Sequence, residues 1–255
     1  MLLPSQRTVR AMVQNVFVGR VARSYDTTSH AMTDAKVLEP TVEFLANLAE
    51  GGAALEFAIG TGRVAVPLHE RGIEVHGIEI SQDMVDELRA KPGGDAIRVT
   101  IGDMATTRID GRFRLVYLVY NTIGNLLEQS EQVACFRNAA AHLEPGGCFV
   151  IEVFVPELRS LPPGQHAYPS DVSEHHLGFD TYEFVDQQLT SHHYWTHPDG
   201  SVERFDSHHR YVWPSELDLM AELAGLSRRE RWADWTRAPF TGDSPSHVSV
   251  WERPR

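Results

Sequence analysis

The strongest constraint on the fold is a βαβ-like succession over residues 53–80. An apolar stretch over 53–59 leads into a turn that contains Gly60 and Gly62, a helical segment follows over 64–71, and a second apolar stretch over 73–80 contains Glu79. This order predicts strand, turn, helix and strand. Glycines permit positive φ angles and a close approach of a ligand to the backbone, and the N-terminus of the following helix presents free N–H groups. We therefore expect a ligand site at this turn.

Two classes of adenosine-containing cofactor use such a unit. Residues 60–65, Gly-Thr-Gly-Arg-Val-Ala, fit the dinucleotide pattern, and Glu79 follows about 20 residues later, where an acid can accept both ribose hydroxyls. Glu56 favours the other class, because a carboxylate repels a pyrophosphate but attracts the α-ammonium and the sulfonium of S-adenosylmethionine. These residues predict S-adenosylmethionine, with a nicotinamide dinucleotide or a purely structural turn as the alternatives.

Composition and charge narrow the function classes. The chain has 255 residues, of which 42% are hydrophobic, enough for one large α/β domain. Its formal charge of −12 argues against nucleic acid as a partner, since phosphate contacts require clustered Lys and Arg. No stretch approaches the roughly 18 apolar residues of a membrane span, and residues 1–18 lack the pattern of a signal peptide. We expect a cytoplasmic protein in which Cys135 and Cys148 are buried, with nothing to support a disulfide between them.

Strands and helices alternate over residues 53–155, which predicts a doubly wound, mostly parallel α/β sheet. Beyond the first unit, the pattern predicts strands over 96–101, 113–120 and 148–154 and helices over 39–48, 82–90 and 130–143. Ser81 is a suitable N-cap for the helix that starts at Gln82. The run 113–120 is almost entirely apolar, as expected for a strand that is buried on both faces.

The pattern changes after Pro156. Residues 157–170 are rich in Pro and Gly and predict a loop, whereas residues 177–213 alternate apolar and polar side chains around a hairpin turn at 198–200. This predicts two to four antiparallel strands inserted into the parallel domain. The remaining elements are predicted as a helix over 215–224 and strands over 226–235 and 246–252.

We expect a single domain over residues 1–255, built from four parts. The parts are a helical N-terminal cap (1–50), a cofactor-binding core (51–156), an antiparallel β insertion (157–213), and a C-terminal helix with the last two strands (214–255). Within the cap, the apolar residues are spaced for an amphipathic helix. These residues are Met12, Val16, Val21 and Tyr25.

Residues 53–155 resemble the core of the class I S-adenosylmethionine-dependent methyltransferases. Four motifs in order carry the resemblance: Glu56-x-Ala58-x-Gly60-x-Gly62, Gly77-Ile78-Glu79-Ile80-Ser81, Gly102-Asp103-Met104 and Leu143-Glu144-Pro145-Gly146-Gly147. The segment Arg23-Ser24-Tyr25-Asp26 is similar to an N-terminal element of small-molecule methyltransferases, and the β insertion is similar to that of sugar amine N-methyltransferases of antibiotic pathways. The resemblance implies a seven-stranded sheet, with a small-molecule methyl acceptor bound on the side of the insertion.

The resemblance also implies cofactor contacts. Glu56 would hold the methionine ammonium, Glu79 would accept the ribose hydroxyls, and Asp103 would accept from the adenine amine. The other implied contacts are Gly60 and Gly62 through their backbone, Ile80, Met84 and Met104 against the adenine, Tyr120 and Asn121 near the sulfonium, and Tyr25 over the methionine end. Ala58, which stands where the family often has glycine, is also implied as a cofactor contact. The structural alternatives are a turn cap for Asp103 and core packing for Met84 and Tyr25.

The implied activity is EC 2.1.1-type methyl transfer to the O or N of a small molecule, with S-adenosylhomocysteine as coproduct. An in-line displacement on an activated sulfonium needs alignment rather than a fixed triad, and no triad appears in the sequence. The end of the fourth strand lacks the acidic or Asn-Pro-Pro-Tyr signature of enzymes that methylate nucleobases or glutamine, which argues against those acceptors. A nicotinamide-dependent oxidoreductase and a non-catalytic S-adenosylmethionine-binding protein are the alternatives.

Histidines are concentrated in the insertion. We expect His192 and His208 to be cross-strand neighbours there, and these two residues and Asn121 are the catalytic candidates, with one histidine as a general base. A metal site on the histidine pair and an exposed polar face are the alternatives, and we assign no metal. The aromatic residues of the insertion would line an acceptor pocket or form the surface of a homodimer.

Overall fold

A computed structural model describes residues 15–28 and 34–255. The helices are α1 (Arg20–Thr28), α2 (Ala35–Ala49), α3 (Ala65–Glu70), α4 (Gln82–Arg89), α5 (Gln129–His142) and α6 (Pro214–Leu223). The strands are β1 (Ala54–Phe57), β2 (Val75–Glu79), β3 (Arg98–Ile101), β4 (Phe113–Leu118), β5 (Leu143–Phe154), β6 (Ala167–Val172), β7 (His176–Glu183), β8 (Gln188–Thr196), β9 (Val202–Arg210), β10 (Ser227–Trp232) and β11 (Ser246–Glu252).

The main sheet has seven strands in the order β10-β11-β5-β4-β1-β2-β3. Strands β1 to β5 run parallel, whereas β11 is antiparallel to both of its neighbours, β5 and β10. The predicted doubly wound, mostly parallel fold is therefore confirmed. Because β1 and β4 lie next to each other but are separated in sequence, the strand order reverses at this pair. Ligands of open α/β sheets bind at such a point, beside the carboxyl ends of the strands.

Apolar side chains pack on both faces of this sheet. One cluster includes Phe136, Phe149 and Trp251 and lies between the sheet and the helices α5 and α6. The other includes Phe44 and Leu45 of α2. Full burial of such a side chain contributes about 1.5–3 kcal/mol, so the two clusters hold the carboxyl edge of the sheet in place. The predicted burial of both cysteines is confirmed.

Two strands end earlier than the sequence predicts. Strand β1 stops at Phe57 because Ala58 has a φ of 50°, and β4 stops at Leu118 because Tyr120 and Asn121 have φ angles of 57° and 55°. Non-glycine residues rarely adopt this left-handed conformation, and it turns the chain out of the sheet. The predicted N-cap at Ser81 is confirmed, since its side chain accepts a hydrogen bond from the N–H of Met84.

The insertion is a separate antiparallel sheet of four strands in the order β6-β7-β8-β9. The predicted loop over 157–170 is wrong at its end, because β6 begins at Ala167 and pairs with β7. Strand β6 can include Pro169 because it is an edge strand with a bulge next to this proline, where an N–H donor is dispensable. The predicted hairpin turn is confirmed, with Gly200 at a φ of 83° between β8 and β9.

The N-terminal cap packs against the start of α4. The Ser81 hydroxyl donates to the carbonyl oxygen of Phe17, and the N–H of Gly19 donates to the carboxylate of Asp83. Val16 precedes the helix instead of belonging to it, which corrects the predicted amphipathic pattern, and Met12 lies outside the described residues. None of the helices in the described ranges is long and apolar enough to cross a membrane.

Candidate cofactor and acceptor site

Glu79 joins the glycine turn to the end of β2. Its carboxylate accepts one hydrogen bond from the N–H of Gly60 and one from the N–H of Ser81, both at 2.8 Å. The side chain is only 4% exposed, and burial raises its pKa above the ordinary value in spite of these two bonds. The N–H of Ile80 also favours the ionised carboxylate. A carboxylate offers about four lone-pair positions, so these backbone groups do not use all of them and a ligand hydroxyl can still bind.

Glu56 is a second buried acid beside the first. It is 2% exposed and accepts a hydrogen bond of 2.9 Å from the phenol of Tyr117 on the neighbouring strand β4. Burial raises its pKa to about 8, while Tyr117 and the Arg63 guanidinium oppose the rise. An acid with such a pKa gains from a nearby cation, because a positive charge stabilises its ionised form.

The two glycines of the turn are required by the protein's own packing. Gly62 has a φ of 72°, and a Cβ atom there would lie 2.2 Å from Cδ1 of Leu88. At Gly60 the φ is 57°, and a Cβ would lie 3.3 Å from Cε of Met84. The Cβ directions of both glycines thus point into the protein. The prediction that their backbone also lies against the cofactor stays a prediction.

The predicted adenine contacts lie at the ends of β2 and β3. Ile80 is 41% exposed, which is unusual for an isoleucine that follows a buried strand, whereas Met84 and Met104 are buried. One carboxylate oxygen of Asp103 accepts from the N–H of Ala105 at 2.7 Å, so this side chain does cap a turn. The cap uses one carboxylate oxygen, so the other oxygen can still accept a hydrogen bond from a ligand.

Tyr120 and Asn121 form two consecutive left-handed residues after β4. They are held by Glu152 of β5, whose carboxylate accepts from the N–H of Tyr120 at 2.8 Å and from the indole N–H of Trp235 at 2.8 Å. The Asn121 side-chain oxygen accepts from the N–H of Phe154 at 3.3 Å. Sequence reasoning missed Glu152, although an acid within the apolar strand 148–154 was a signal that could have revealed it.

Tyr25 of α1 lies over the same edge of the sheet. Its pKa is raised to about 12, first by burial and then by Tyr120, and Arg63 opposes the rise. The neighbouring Asp26 fastens the cap to the glycine turn. It accepts from the Thr61 hydroxyl at 2.7 Å and pairs with the Lys91 ammonium at 2.6 Å.

Arg63 is the second residue that sequence reasoning missed. Burial raises the pKa of four nearby groups, and the positive charge of Arg63 opposes each rise. The guanidinium therefore lies among these groups, which are Tyr25, Glu56, Tyr117 and Tyr120. Arg63 follows Gly62 directly, and its position inside the glycine motif was the signal. The site thus combines two buried acids, one guanidinium and a set of tyrosines.

The two candidate histidines lie apart from these groups. His192 lies opposite Asp206 and His208 opposite Thr190, so the two histidines are diagonal neighbours on the adjacent strands β8 and β9 and do not face each other directly. The hairpin turn sets the register of β8 and β9. This register places Asp206, and not His208, directly opposite His192. Among the residues that the structure describes, no group of three or more His, Cys, Asp and Glu side chains is arranged to hold a metal ion.

Comparison with known proteins identifies relatives of the chain. Residues 54–147 match a family model described as a methyltransferase domain. The solved CcbJ methyltransferase from Streptomyces caelestis has 36% sequence identity and a TM-score of 0.77 over 85% of this chain and 89% of that one. The cypemycin N-terminal methyltransferase of a Streptomyces species is 26% identical over 209 residues, 80% of this chain and 84% of that protein. A shorter match, 30% over 103 residues, covers 40% of this chain and 43% of the dTDP-3-amino-3,4,6-trideoxy-alpha-D-glucopyranose N,N-dimethyltransferase of Streptomyces venezuelae.

These matches confirm the family that the motifs predict. The likeness to the Streptomyces caelestis enzyme extends over most of both chains and therefore well beyond the residues that match the family model. The predicted cofactor, S-adenosylmethionine, is confirmed with the family, and the predicted nicotinamide and non-catalytic alternatives are set aside. The chain belongs to the class I S-adenosylmethionine-dependent methyltransferases.

Proposed function

We propose that this enzyme methylates an amine nitrogen of a small-molecule acceptor. Glu56 supports the methyl-donor half of the proposal, because this fully enclosed acid, with a pKa raised to about 8, favours a cation such as the α-ammonium of the methionine moiety. The names of two relatives support nitrogen over oxygen, since one is an N-terminal methyltransferase and the other an N,N-dimethyltransferase.

Each predicted contact has a group that fits it. The free lone pairs of Glu79 suit the ribose hydroxyls, and the exposed Ile80 suits one face of the adenine. Asp103 lies at the end of the neighbouring strand and suits the adenine amine. We assign the methionine carboxylate to the Arg63 guanidinium, because a carboxylate beside two buried acids requires a cation.

The chemistry requires alignment and the removal of a proton. When bound, S-adenosylmethionine supplies a methyl group that is already activated by its sulfonium. Tyr120 and Asn121 border the place where we expect the acceptor to meet this methyl group, and Glu152 fixes the turn that carries them. Tyr25 on the cap excludes water from this edge of the sheet.

The domain division is part of the proposal. We infer that the cap (1–50), core (51–156), insertion (157–213) and C-terminal part (214–255) act as one methyltransferase domain, with the acceptor between insertion and core. The bonds of Asp26 to Thr61 and Lys91 support this, because they tie the cap to the glycine turn.

Calorimetric titration with S-adenosylhomocysteine tests the cofactor site, with NAD and NADP as controls. We expect a dissociation constant on the order of micromolar for the homocysteine compound alone, and its loss in Glu79→Ala. Glu74→Ala is the matched control, because this acid belongs to the same stretch of chain but is exposed. Glu79→Gln retains one acceptor oxygen and serves if the alanine variant does not fold. Preference for a nicotinamide, or equal losses in the Glu74 and Glu79 variants, would contradict the assignment.

A further inference from the structure

The two faces of the insertion sheet meet different surroundings. Glu203 on β9 forms an ion pair with Arg20 of the cap. His209 lies on the same face of β9, and its Cβ is 3.6 Å from the position of a Cβ built on Gly124. The Asn121 side-chain nitrogen is 3.5 Å from that same position. The face that carries Glu203 and His209, which we call the inner face, therefore looks toward the cap and the methyl-transfer edge of the core.

The register places an acid and a histidine of neighbouring strands on the inner face. Asp180 of β7 lies opposite Ser191 of β8 and accepts a bond of 2.6 Å from its hydroxyl. His193 follows two residues later on β8 and points to the same side. Both Asp180 and His193 are half-buried, so each is shielded from bulk water and still open to a ligand.

A chain of hydrogen bonds determines which nitrogen of His193 is free. The Asp171 carboxylate lies 2.5 Å from Nδ1 of His176, and Nε2 of His176 lies 3.0 Å from Nδ1 of His193. A carboxylate only accepts, so Nδ1 of His176 carries a hydrogen, and in the neutral ring Nε2 then accepts from Nδ1–H of His193. This leaves Nε2 of His193 with a lone pair. The two imidazole planes are nearly parallel, with an interplanar angle of 11°, which is compatible with an in-plane hydrogen bond between ring nitrogens.

Local charges keep His193 a neutral base. Burial and the neighbouring His176 lower its pKa, while Asp180, Asp171 and Asp206 oppose this. The inner face of β6 to β9 contains neither Lys nor Arg among its strand positions. The cation that reaches it from the cap, Arg20, is paired with Glu203. The surface is thus rich in hydrogen-bond acceptors and poor in positive charge.

We propose that the inner face binds the acceptor as an ammonium between the Asp180 carboxylate and Nε2 of His193, and that this acceptor carries no phosphate. The proposal rests on the proposed N-methyl transfer. An N–H bond of the ammonium breaks as the Nε2–H bond of His193 forms, which leaves a neutral amine with the lone pair that methyl transfer needs. Asp171 and His176 are positioning residues. A nucleotide-linked acceptor would bring its phosphates against acids, and within the described part of the chain the strand positions of this face supply no Lys or Arg to neutralise them.

The test uses the full-length enzyme saturated with S-adenosylhomocysteine and three small probes. Pyrrolidine is protonated at neutral pH, cyclopentanol has the same ring without the charge, and dTDP supplies the phosphates. We expect saturable binding of pyrrolidine, monitored by calorimetry and by histidine NMR signals, and none of dTDP. Asp180→Asn and His193→Gln should weaken pyrrolidine binding by at least about tenfold, the effect of losing a hydrogen bond to a charged group.

Matched controls lie on the opposite, outer face of the same sheet. His192→Gln changes the same residue type one position away, Glu183→Gln changes an outer-face acid of β7 itself, and both should leave pyrrolidine binding unchanged. Equal binding of cyclopentanol, tighter binding of dTDP, no saturation by pyrrolidine, or equal losses in the outer-face variants would each overturn the proposal. Because every titration starts from the S-adenosylhomocysteine complex, failure of the cofactor assignment would appear beforehand, as failure to form that complex.

Discussion

The cofactor edge of the main sheet and the inner face of the insertion both present acids to a ligand, but they hold them differently. At the cofactor edge, the acids Glu56 and Glu79 are almost fully buried, and backbone N–H groups within the same βαβ unit orient Glu79. On the inner face, Asp180 is half-buried and is held by a side chain of the adjacent strand. At the cofactor edge, a substitution of the acid should therefore affect both stability and ligand binding. On the inner face, a substitution can change ligand binding with little effect on stability.

Replacing the acid at each place should expose this difference most strongly. Glu79→Ala leaves the buried N–H of Ser81 and the part-buried N–H of Gly60 without an acceptor, so we expect it to lower the free energy of unfolding by about 3 kcal/mol. Asp180→Ala leaves one hydroxyl that can turn to water, so we expect a loss below about 1 kcal/mol. Chemical denaturation of both variants measures the two values. Similar losses would mean that the insertion is as tightly coupled to the fold as the glycine turn.

Glycines of the two regions offer a second contrast. A Cβ at Gly62 would meet Leu88 at 2.2 Å and also requires a positive φ, so Gly62→Ala should cost about 2–3 kcal/mol. At Gly178 of β7 the nearest atom is the Ser170 hydroxyl at 3.0 Å, and a serine can rotate away. We expect Gly178→Ala to cost less than about 1 kcal/mol. Thermal melting distinguishes the two, and a larger effect at Gly178 would contradict the contrast.

The same difference explains what the sequence could predict. The βαβ unit, the N-cap at Ser81 and the acid Glu79 follow from local spacing, because residues of the same unit make the bonds that orient them. Glu56 was predicted from its place in the glycine motif, although the Tyr117 phenol that holds it comes from the distant strand β4. The partner of each histidine in the insertion follows from register, and one residue of slip exchanges the two faces of a strand. Alternation therefore predicted the insertion strands but could not distinguish His193 from His192.

Residues that support a site through a distant strand were equally hidden. Glu152 acts on Tyr120 from 32 positions away in the chain, and only the pairing of β4 with β5 brings them together. The left-handed turn at Tyr120 and Asn121 has no glycine to announce it, which is why the predicted strand ran two residues too far.

Glu56 should make the cofactor edge sensitive to pH. Its pKa is about 8 when folded against an ordinary 4.5, so the folded state keeps a proton that the unfolded state loses between these values. Its stabilising contribution is therefore complete below about pH 4.5 and is lost as the pH rises through 8. Glu56→Gln does not titrate, so at pH 6 we expect it to be more stable than the natural protein by about 2 kcal/mol, with almost no difference near pH 4.

The same variant should bind the cofactor less well. In the natural protein, the α-ammonium of the ligand favours ionised Glu56, so binding of S-adenosylhomocysteine at pH 7 should release close to one proton. Calorimetry in buffers of different ionisation enthalpy measures this release. Glu74→Gln, which changes an exposed acid, is the control and should keep both the affinity and the proton release. An unchanged proton release in Glu56→Gln would show that another group titrates.

The smallest expected effect concerns Ala58, where the cofactor edge departs from its own backbone preference. This alanine has a φ of 50°, a conformation that costs a residue with a Cβ about 1 kcal/mol relative to glycine. Ala58→Gly removes that strain but adds freedom to the unfolded chain, so the net gain should be about 0.5 kcal/mol. Ala90→Gly, at a φ of −72°, adds only the freedom and should lose a similar amount. Changes in stability of opposite sign in the two variants would show that Ala58 is strained in the folded state. The strained residue lies between Glu56 and Gly60, and relief of its strain should leave the affinity for S-adenosylhomocysteine unchanged. A loss of affinity in Ala58→Gly would instead mean that the methyl group itself supports the ligand.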